Sequence, residues 1–281
     1  MNIQDWLRHA SEVLREAECP DPQTDSRWIA EDTLSMSSTE LSFEANQELE
    51  AESLERLNER LRRRAQGEPV QYILESAYFM GQRFYVDQRV LIPRQDTETL
   101  VESIIVALRQ MSSEAPEVLD LCTGSGAVGL SVKTLVPQAR VTLTDISRDA
   151  LEVARRNAHL LNAEAEIRHG DLFQAVGKNQ YDLIASNPPY IPHGDLPMLQ
   201  REVRREPAIA LDGGQDGLDF YRRLTAEAAA HLKPAGFLFL EVGMGEAEAV
   251  LKMTVESIES SQAGVINDLN GIPRVVWARS V

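Results

Sequence analysis

One run, Tyr181-Asp-Leu-Ile-Ala-Ser186 followed at once by Asn187-Pro-Pro-Tyr190, restricts this chain more than any other. A continuous apolar Leu183-Ile184-Ala185 suits a strand covered on both faces, hence a parallel sheet with helices on either side. Two consecutive prolines donate no ladder hydrogen bonds and force the chain out of the sheet. Asn187 therefore stands at the carboxyl end of a strand. In open α/β sheets ligands bind in the crevice outside those ends, so Asn187 and Tyr190 are site candidates by position alone.

The rest of the chain agrees with such a sheet. From Glu117 onward apolar runs alternate with helical patterns. Strands are expected at 118–121, 141–145, weakly at 165–168, at Tyr181, at 237–242 and at Val275-Val276-Trp277. Helices are expected over 127–135, 149–161 and 219–232, with one more before the last strand. This alternation predicts an α/β fold with a mostly parallel sheet. Before it, residues 2–66 carry helical stripes, with Trp6, Leu7, Ala10, Val13 and Leu14 on one face, then Trp28, Ile29 and Leu34, then Leu54, Leu57 and Leu61. A small helical bundle is expected there. Tyr72-Ile73-Leu74, Tyr78-Phe79 and Phe84-Tyr85-Val86, broken by Met80-Gly81-Gln82, read as a β-hairpin linking two domains. The expected domains are thus 1–66, a linker over 67–92, and 93–281. Asp96-Thr97-Glu98 places acids at the start of a helix striped with Leu100, Val101, Ile104, Ile105 and Leu108. Arg60, Arg62, Arg63 and Arg64 close the bundle's last helix, either as a solvated helix end or as a docking patch.

At 281 residues and 43% hydrophobic, the chain is long enough for one sizeable core and a smaller domain. The 28 Lys+Arg against 44 Asp+Glu give a net charge of −16, which repels phosphate backbones and argues against direct nucleic-acid binding. Cys19 and Cys122 lack metal-ligand spacing, the five histidines are scattered, and neither a signal peptide nor a membrane span is visible. The expectation is a cytoplasmic monomer that holds no metal.

Gly124-Ser-Gly126-Ala-Val-Gly129, between a strand and a helix, matches the dinucleotide fingerprint and taken literally predicts NAD. Two features favour S-adenosylmethionine instead. Asp120, at the strand end four residues before Gly124, suits a cationic amino-acid end better than anionic phosphates. No nicotinamide pocket follows, whereas Asn187-Pro188-Pro189-Tyr190 has a role if a group is transferred to nitrogen. A planar nitrogen has its lone pair delocalised, so the Asn187 side-chain oxygen and the Pro188 carbonyl would accept its two hydrogens as charge builds. Tyr190 would lie against the flat face and hold it in line. Asp145, ending the next strand, is placed to accept from the ribose hydroxyls. Asp171 is placed for the adenine amine, or is simply a turn aspartate. Thr123, Leu172 and Asn187 complete the expected cofactor set.

With Asp120-Leu-Cys-Thr-Gly-Ser-Gly126, Asp145, Asp171 and Asn187-Pro-Pro-Tyr190, the chain resembles the class I, Rossmann-like, S-adenosylmethionine-dependent methyltransferases that methylate amino groups. It is similar to a narrower family as well. Ala77-Tyr-Phe-Met-Gly-Gln-Arg-Phe-Tyr-Val86, Val90-Leu-Ile-Pro-Arg94 with Asp96-Thr-Glu98, Glu206-Pro207 and Asn267-Asp-Leu-Asn-Gly-Ile-Pro-Arg274 resemble bacterial release-factor glutamine methyltransferases. The resemblance implies methylation of the glutamine side-chain amide in the Gly-Gly-Gln motif of peptide chain release factors, with a helical N-terminal domain gripping the substrate. It makes Asn187 the amide ligand and Pro188, Pro189 and Tyr190 the walls of its cage, with Gly124, Gly126, Asp145 and Asp171 holding the cofactor. Gln95 stands where that family has proline, and Cys122 where it has glycine. The cysteine form looks like a sister group acting on a large-subunit ribosomal protein. The chain's own Gly213-Gly214-Gln215 is a three-letter coincidence and no case for self-methylation.

Overall fold

The computed structural model describes residues 1–111 and 113–281. They form two units, Met1–Ser76 with Gln200–Arg205, and Ala77–Leu199 with Glu206–Val281.

In the first unit each helix begins and ends where its sequence provides caps. Helix α1 (Ile3–Glu16) starts at Asn2, whose side chain accepts from the Asp5 amide at 2.8 Å. Pro22 opens α2 (Pro22–Leu34), which ends at Ser35 in the left-handed conformation. Ser37 and Glu40 form a reciprocal capping box before α3 (Ser38–Phe43). Trp6, Leu14 and Ile29 pack with Leu57 and Leu61 of α4 (Ala51–Ala65), and the Trp6 ring N–H donates to Asn58 at 3.0 Å. The arginines at the end of α4 are all engaged inside this unit. Arg60 pairs with Asp32, Arg62 with Glu59 and Arg63 with Glu68, at 2.6–2.7 Å. Arg64 is buried between Asp25 at 2.6 Å and Glu202 at 2.9 Å. Each of these charges thus has an acidic partner within the same unit.

The hairpin is shorter than its aromatic content implied. Tyr72 and Ile73 lie in a one-turn helix, α5 (Val70–Ile73), buried along with Val70. Pro69 offers no ladder donor and leads directly into that turn. Only β1 (Ala77–Phe79) and β2 (Gln82–Phe84) pair, around Met80 and Gly81 with φ of 50° and 71°. Two successive positive φ values make the tight turn that matches strand twist, and the second falls on glycine.

The large sheet begins after α6 (Glu98–Gln110). In chain order come β3 (Glu117–Leu121), α7 (Ala127–Leu135), β4 (Arg140–Asp145), α8 (Arg148–Leu160), β5 (Glu166–His169) and β6 (Tyr181–Ser186). Then follow α9 (Asp219–His231), β7 (Leu232–Glu241), α10 (Ala247–Ser257), β8 (Ser260–Asn267) and β9 (Pro273–Ser280). The strand order is β5-β4-β3-β6-β7-β9-β8. The first five are parallel, and β9 and β8 are antiparallel additions. The α/β, mostly parallel sheet is the one expected, although β8 was not. No described helix is long and apolar enough to cross a membrane.

The pleat explains why the strand runs are continuously apolar. Leu183, Ala185, Phe237 and Phe239 face one core with Leu100, Ile104 and Leu130. Their neighbours Ile184, Leu238 and Leu240 face another core with Tyr221, Leu224 and Val250. Both faces are covered, so both registers of the alternation are hydrophobic. The strand order reverses between β3 and β6, parallel neighbours that pair side by side with Leu121 opposite Ser186. The crevice predicted for such a fold opens above that pair, between the glycine loop and Asn187.

Candidate functional site

The glycine loop is built around a buried carboxylate. Asp120, 1% exposed, accepts at Oδ2 from the Thr123 hydroxyl at 2.6 Å and from the Gly129 amide at 3.0 Å. A Cβ on Gly129 would lie 2.2 Å from Leu143 Cδ2 and 3.0 Å from Asp120 Oδ2, so glycine is what lets α7 approach the strands this closely. Burial pushes the Asp120 carboxyl up to about 7, against the pull of Thr123 and Gly129. Cys122 has a φ of 58°, the left-handed region that a glycine adopts freely, which explains why glycine is usual at that position. One link ties the loop to the next strand. The Gly124 amide donates to Asp145 Oδ2 at 2.9 Å, and the Ser147 amide donates to its Oδ1 at 2.8 Å. Burial raises the Asp145 carboxyl, while the Ser147 and Gly124 amides oppose it. Two backbone donors thus fix this carboxylate and leave lone pairs for a ligand's hydroxyls.

Gly124, Asp145, Asp171, Leu172, Asn187 and Pro189 line one cavity. Its apolar walls are residues that sequence reasoning missed, including Val90, Leu91, Ile146, Ile209 and Phe220. Ile146 directly follows Asp145, a signal that could have been used. Ile209 arrives from the segment after Glu206-Pro207 and Phe220 from the first turn of α9, where nothing local marks them. Asp120, Thr123 and Gly126 stand behind the lining as support for the loop. Pro188 and Tyr190 are also outside it. Asp171 reaches the cavity with its Oδ2 paired to Arg223 at 2.6 Å, and Leu172 beside it has a φ of 48°.

Asn187 leaves β6 with its two side-chain atoms treated differently. Nδ2 donates to Thr97 Oγ1 at 3.1 Å, whereas Oδ1 is buried with no hydrogen-bond partner. An orphaned buried acceptor costs about 1–3 kcal/mol, which a ligand N–H would recover. Glu241, at the end of β7 and 1% exposed, lies behind this amide. Burial pushes its carboxyl up to about 7, against Thr97, Arg274 and Asn187. Neither Thr97 nor Glu241 was singled out in the sequence as part of the site. Tyr190 is held from behind, since the Gly213 amide donates to the Ile191 carbonyl at 2.8 Å. A Cβ on Gly213 would come 2.7 Å from Tyr190 Cα. Gly213-Gly214-Gln215 therefore backs the tyrosine, with Gln215 exposed. Burial and then the Glu241 charge push the Tyr190 hydroxyl up to about 12.

These features can be set beside known proteins. A family model described as the PrmC N-terminal domain matches residues 5–74, and one described as a methyltransferase small domain matches residues 97–205. A methyltransferase from Pyrococcus furiosus superposes with a TM-score of 0.53 at 19% identity, covering 72% of this chain and 91% of that one, a likeness of fold. The release factor glutamine methyltransferase of Geobacter sulfurreducens is 40% identical over 278 residues, 99% of this chain and 95% of that protein. Its counterpart in Deinococcus radiodurans is 37% identical, with 99% of each covered. The chain has the class I methyltransferase fold and belongs to the release factor glutamine methyltransferase family.

Proposed function

We propose that this protein transfers a methyl group from S-adenosylmethionine to the side-chain amide nitrogen of the glutamine in the Gly-Gly-Gln motif of peptide chain release factors. The observation that carries this reading is the buried, partnerless Oδ1 of Asn187 at the carboxyl end of β6. It is an acceptor in want of an N–H, the group that a carboxamide nitrogen presents. The names of the Geobacter and Deinococcus relatives supply the glutamine and the release factor.

S-adenosylmethionine supplies an electrophilic methyl group on a sulfonium. Asp145, fixed by two backbone amides, would take the ribose hydroxyls, and the apolar walls around Ile146 and Phe220 would take the adenine. Asn187 Oδ1 and the Pro188 carbonyl would accept the two hydrogens of the attacking amide. As the nitrogen–carbon bond forms and the sulfur–carbon bond breaks, positive charge grows on nitrogen, and those two acceptors strengthen with it. The product amide then loses one of those protons to solvent. A histidine base and a covalent enzyme intermediate are unnecessary. The helical first unit is read as the grip on parts of the release factor away from the glutamine loop.

Incubating the full chain with labelled S-adenosylmethionine and either a release factor or the large-subunit ribosomal protein, then locating the label by peptide mass spectrometry, tests this. Label on the Gly-Gly-Gln glutamine is expected. Label on the ribosomal protein alone would move the chain to the sister group, and label on neither would overturn the reading.

A further inference from the structure

Two stretches that mark the family resemblance, Asp96-Thr-Glu98 and Asn267-Asp-Leu-Asn-Gly-Ile-Pro-Arg274, have no part in the reading above, yet they meet behind Asn187. Thr97, 4% exposed, receives the Asn187 amide hydrogen. Arg274 pairs with Asp96 at 2.9 Å and with Asp268 at 3.2 Å, and Asp268 in turn accepts from the Ile272 and Asn270 amides. Glu241 sits between the two stretches, with Thr97, Arg274, Asp96 and Asn187 as its neighbours. Glu98 caps the β1–β2 turn through the Met80 amide at 2.6 Å.

An asparagine amide can present either its oxygen or its NH2 to a substrate, and the choice belongs to whatever holds the other end. A threonine hydroxyl alone does not decide, because it can donate or accept. A neighbouring carboxylate decides it. Above about pH 7, where Glu241 is charged, it only accepts; a Thr97 proton turned toward it leaves the Thr97 lone pairs for the Asn187 NH2. Oδ1 is then the end that faces outward, and a carboxylate beside the Thr97–Asn187 pair makes that oxygen a better acceptor. Arg274 balances the buried negative charge.

We propose that Thr97 and Glu241 are positioning residues that fix the side-chain amide of Asn187 with its oxygen, rather than its nitrogen, offered to the substrate amide. The inference rests on the methyl-transfer reading for its kinetic consequence but not for its geometry, so the two can fail separately. Thr97→Val keeps the shape and removes the acceptor. It should lower turnover on a release factor by about 10- to 100-fold, leave S-adenosylmethionine affinity by calorimetry within about twofold, and be rescued by Thr97→Ser. Glu241→Gln, which can donate as well as accept, should show the same split. Equal losses of cofactor affinity and turnover in both variants would indicate a merely structural role and overturn the proposal, as would normal turnover in both. If the wild-type protein methylates no release factor, the functional reading fails, but the Asn187 side-chain NH2 resonances, identified by their absence in Asn187→Ala, still report. Resonances shifted in Thr97→Val and restored in Thr97→Ser would support the positioning role. Resonances unmoved in Thr97→Val would overturn it.

Discussion

Asp120 and Glu241 invite comparison. They end β3 and β7, the two strands that flank β6. Both are essentially fully buried, and burial pushes both carboxyls up to about 7. Their partners differ. Asp120 is served by Thr123 and Gly129, within nine residues of chain. Glu241 faces Thr97, Asn187 and Arg274, gathered from across the second unit, and its Oε2 has no partner at all. Equal burial therefore supports two tasks. One acid shapes the backbone of a loop through partners close by in the chain. The other backs a side chain whose oxygen is still waiting for a donor.

If that division is right, the two sides of the crevice should separate in kinetics. Asn187→Ala is expected to lower turnover by about 10²–10³, or about 2.7–4 kcal/mol of transition-state stabilisation, while calorimetric affinity for S-adenosylmethionine changes little. Normal turnover in that variant would break the comparison, because the acceptor on the substrate side would then do nothing.

Titration should expose what the two acids share. Each has a folded-state pKa raised above its ordinary carboxyl value, so the native state holds the proton more tightly than the unfolded chain does. The resulting stabilisation is complete below about pH 4 and is lost as pH rises toward about 7. Asp120→Asn and Glu241→Gln remove one titration each. The unfolding free energy of the wild-type protein relative to either variant should therefore fall between pH 4 and pH 8, by on the order of 3 kcal/mol. A gap that stays constant across that range, by chemical denaturation, would mean that neither acid protonates in the native state.

Gly129→Ala addresses the loop side alone. The new methyl would collide with Leu143 and crowd Asp120, an overpacking cost of about 1–3 kcal/mol. Because Asp120 would have to move, cofactor affinity should drop along with the melting temperature, and turnover at saturating cofactor should suffer least.

The same local-versus-distant distinction governs what could be read from sequence. The alternating strands and helices, the glycine loop and the prolines after β6 are signals within a few residues of one another, and the sheet follows from them. Strand β8 escaped because Ser260–Asn267 opens on polar residues and carries Gly264, with no regular alternation; it exists because β9 offers an edge. Tyr72 and Ile73 looked like strand because aromatic and branched residues favour pleated surfaces, and the turn after Pro69 overrode that preference. The arginines of α4 could not be assigned without knowing that Asp25, Asp32 and Glu202 come to meet them. Asn187 was legible from its prolines, but Thr97 and Glu241 were not, since the threonine precedes it by 90 residues.

Two aspartates on the same cavity give the smallest and last test. Asp145 and Asp171 both line it, and from sequence both were assigned to the cofactor. Asp145 is gripped by the Gly124 and Ser147 amides, which fix its direction without using up its acceptor capacity. Asp171 has one oxygen committed to Arg223 on a half-exposed surface, where an ion pair is worth about 0–1 kcal/mol. Losing Asp145 would leave ribose hydroxyls unpaired in a confined site, so Asp145→Ala should weaken S-adenosylmethionine binding by about 1–3 kcal/mol. Losing Asp171 gives up at most one contact that water can replace, and it frees Arg223. Asp171→Ala should therefore weaken binding by less than about 1 kcal/mol, and raising the salt concentration should narrow its difference from the wild type. If calorimetry instead finds the two variants equally weakened, then Asp171 leaves Arg223 when the cofactor binds, and its carboxylate would count as a full adenine acceptor rather than a turn residue that happens to face the cavity.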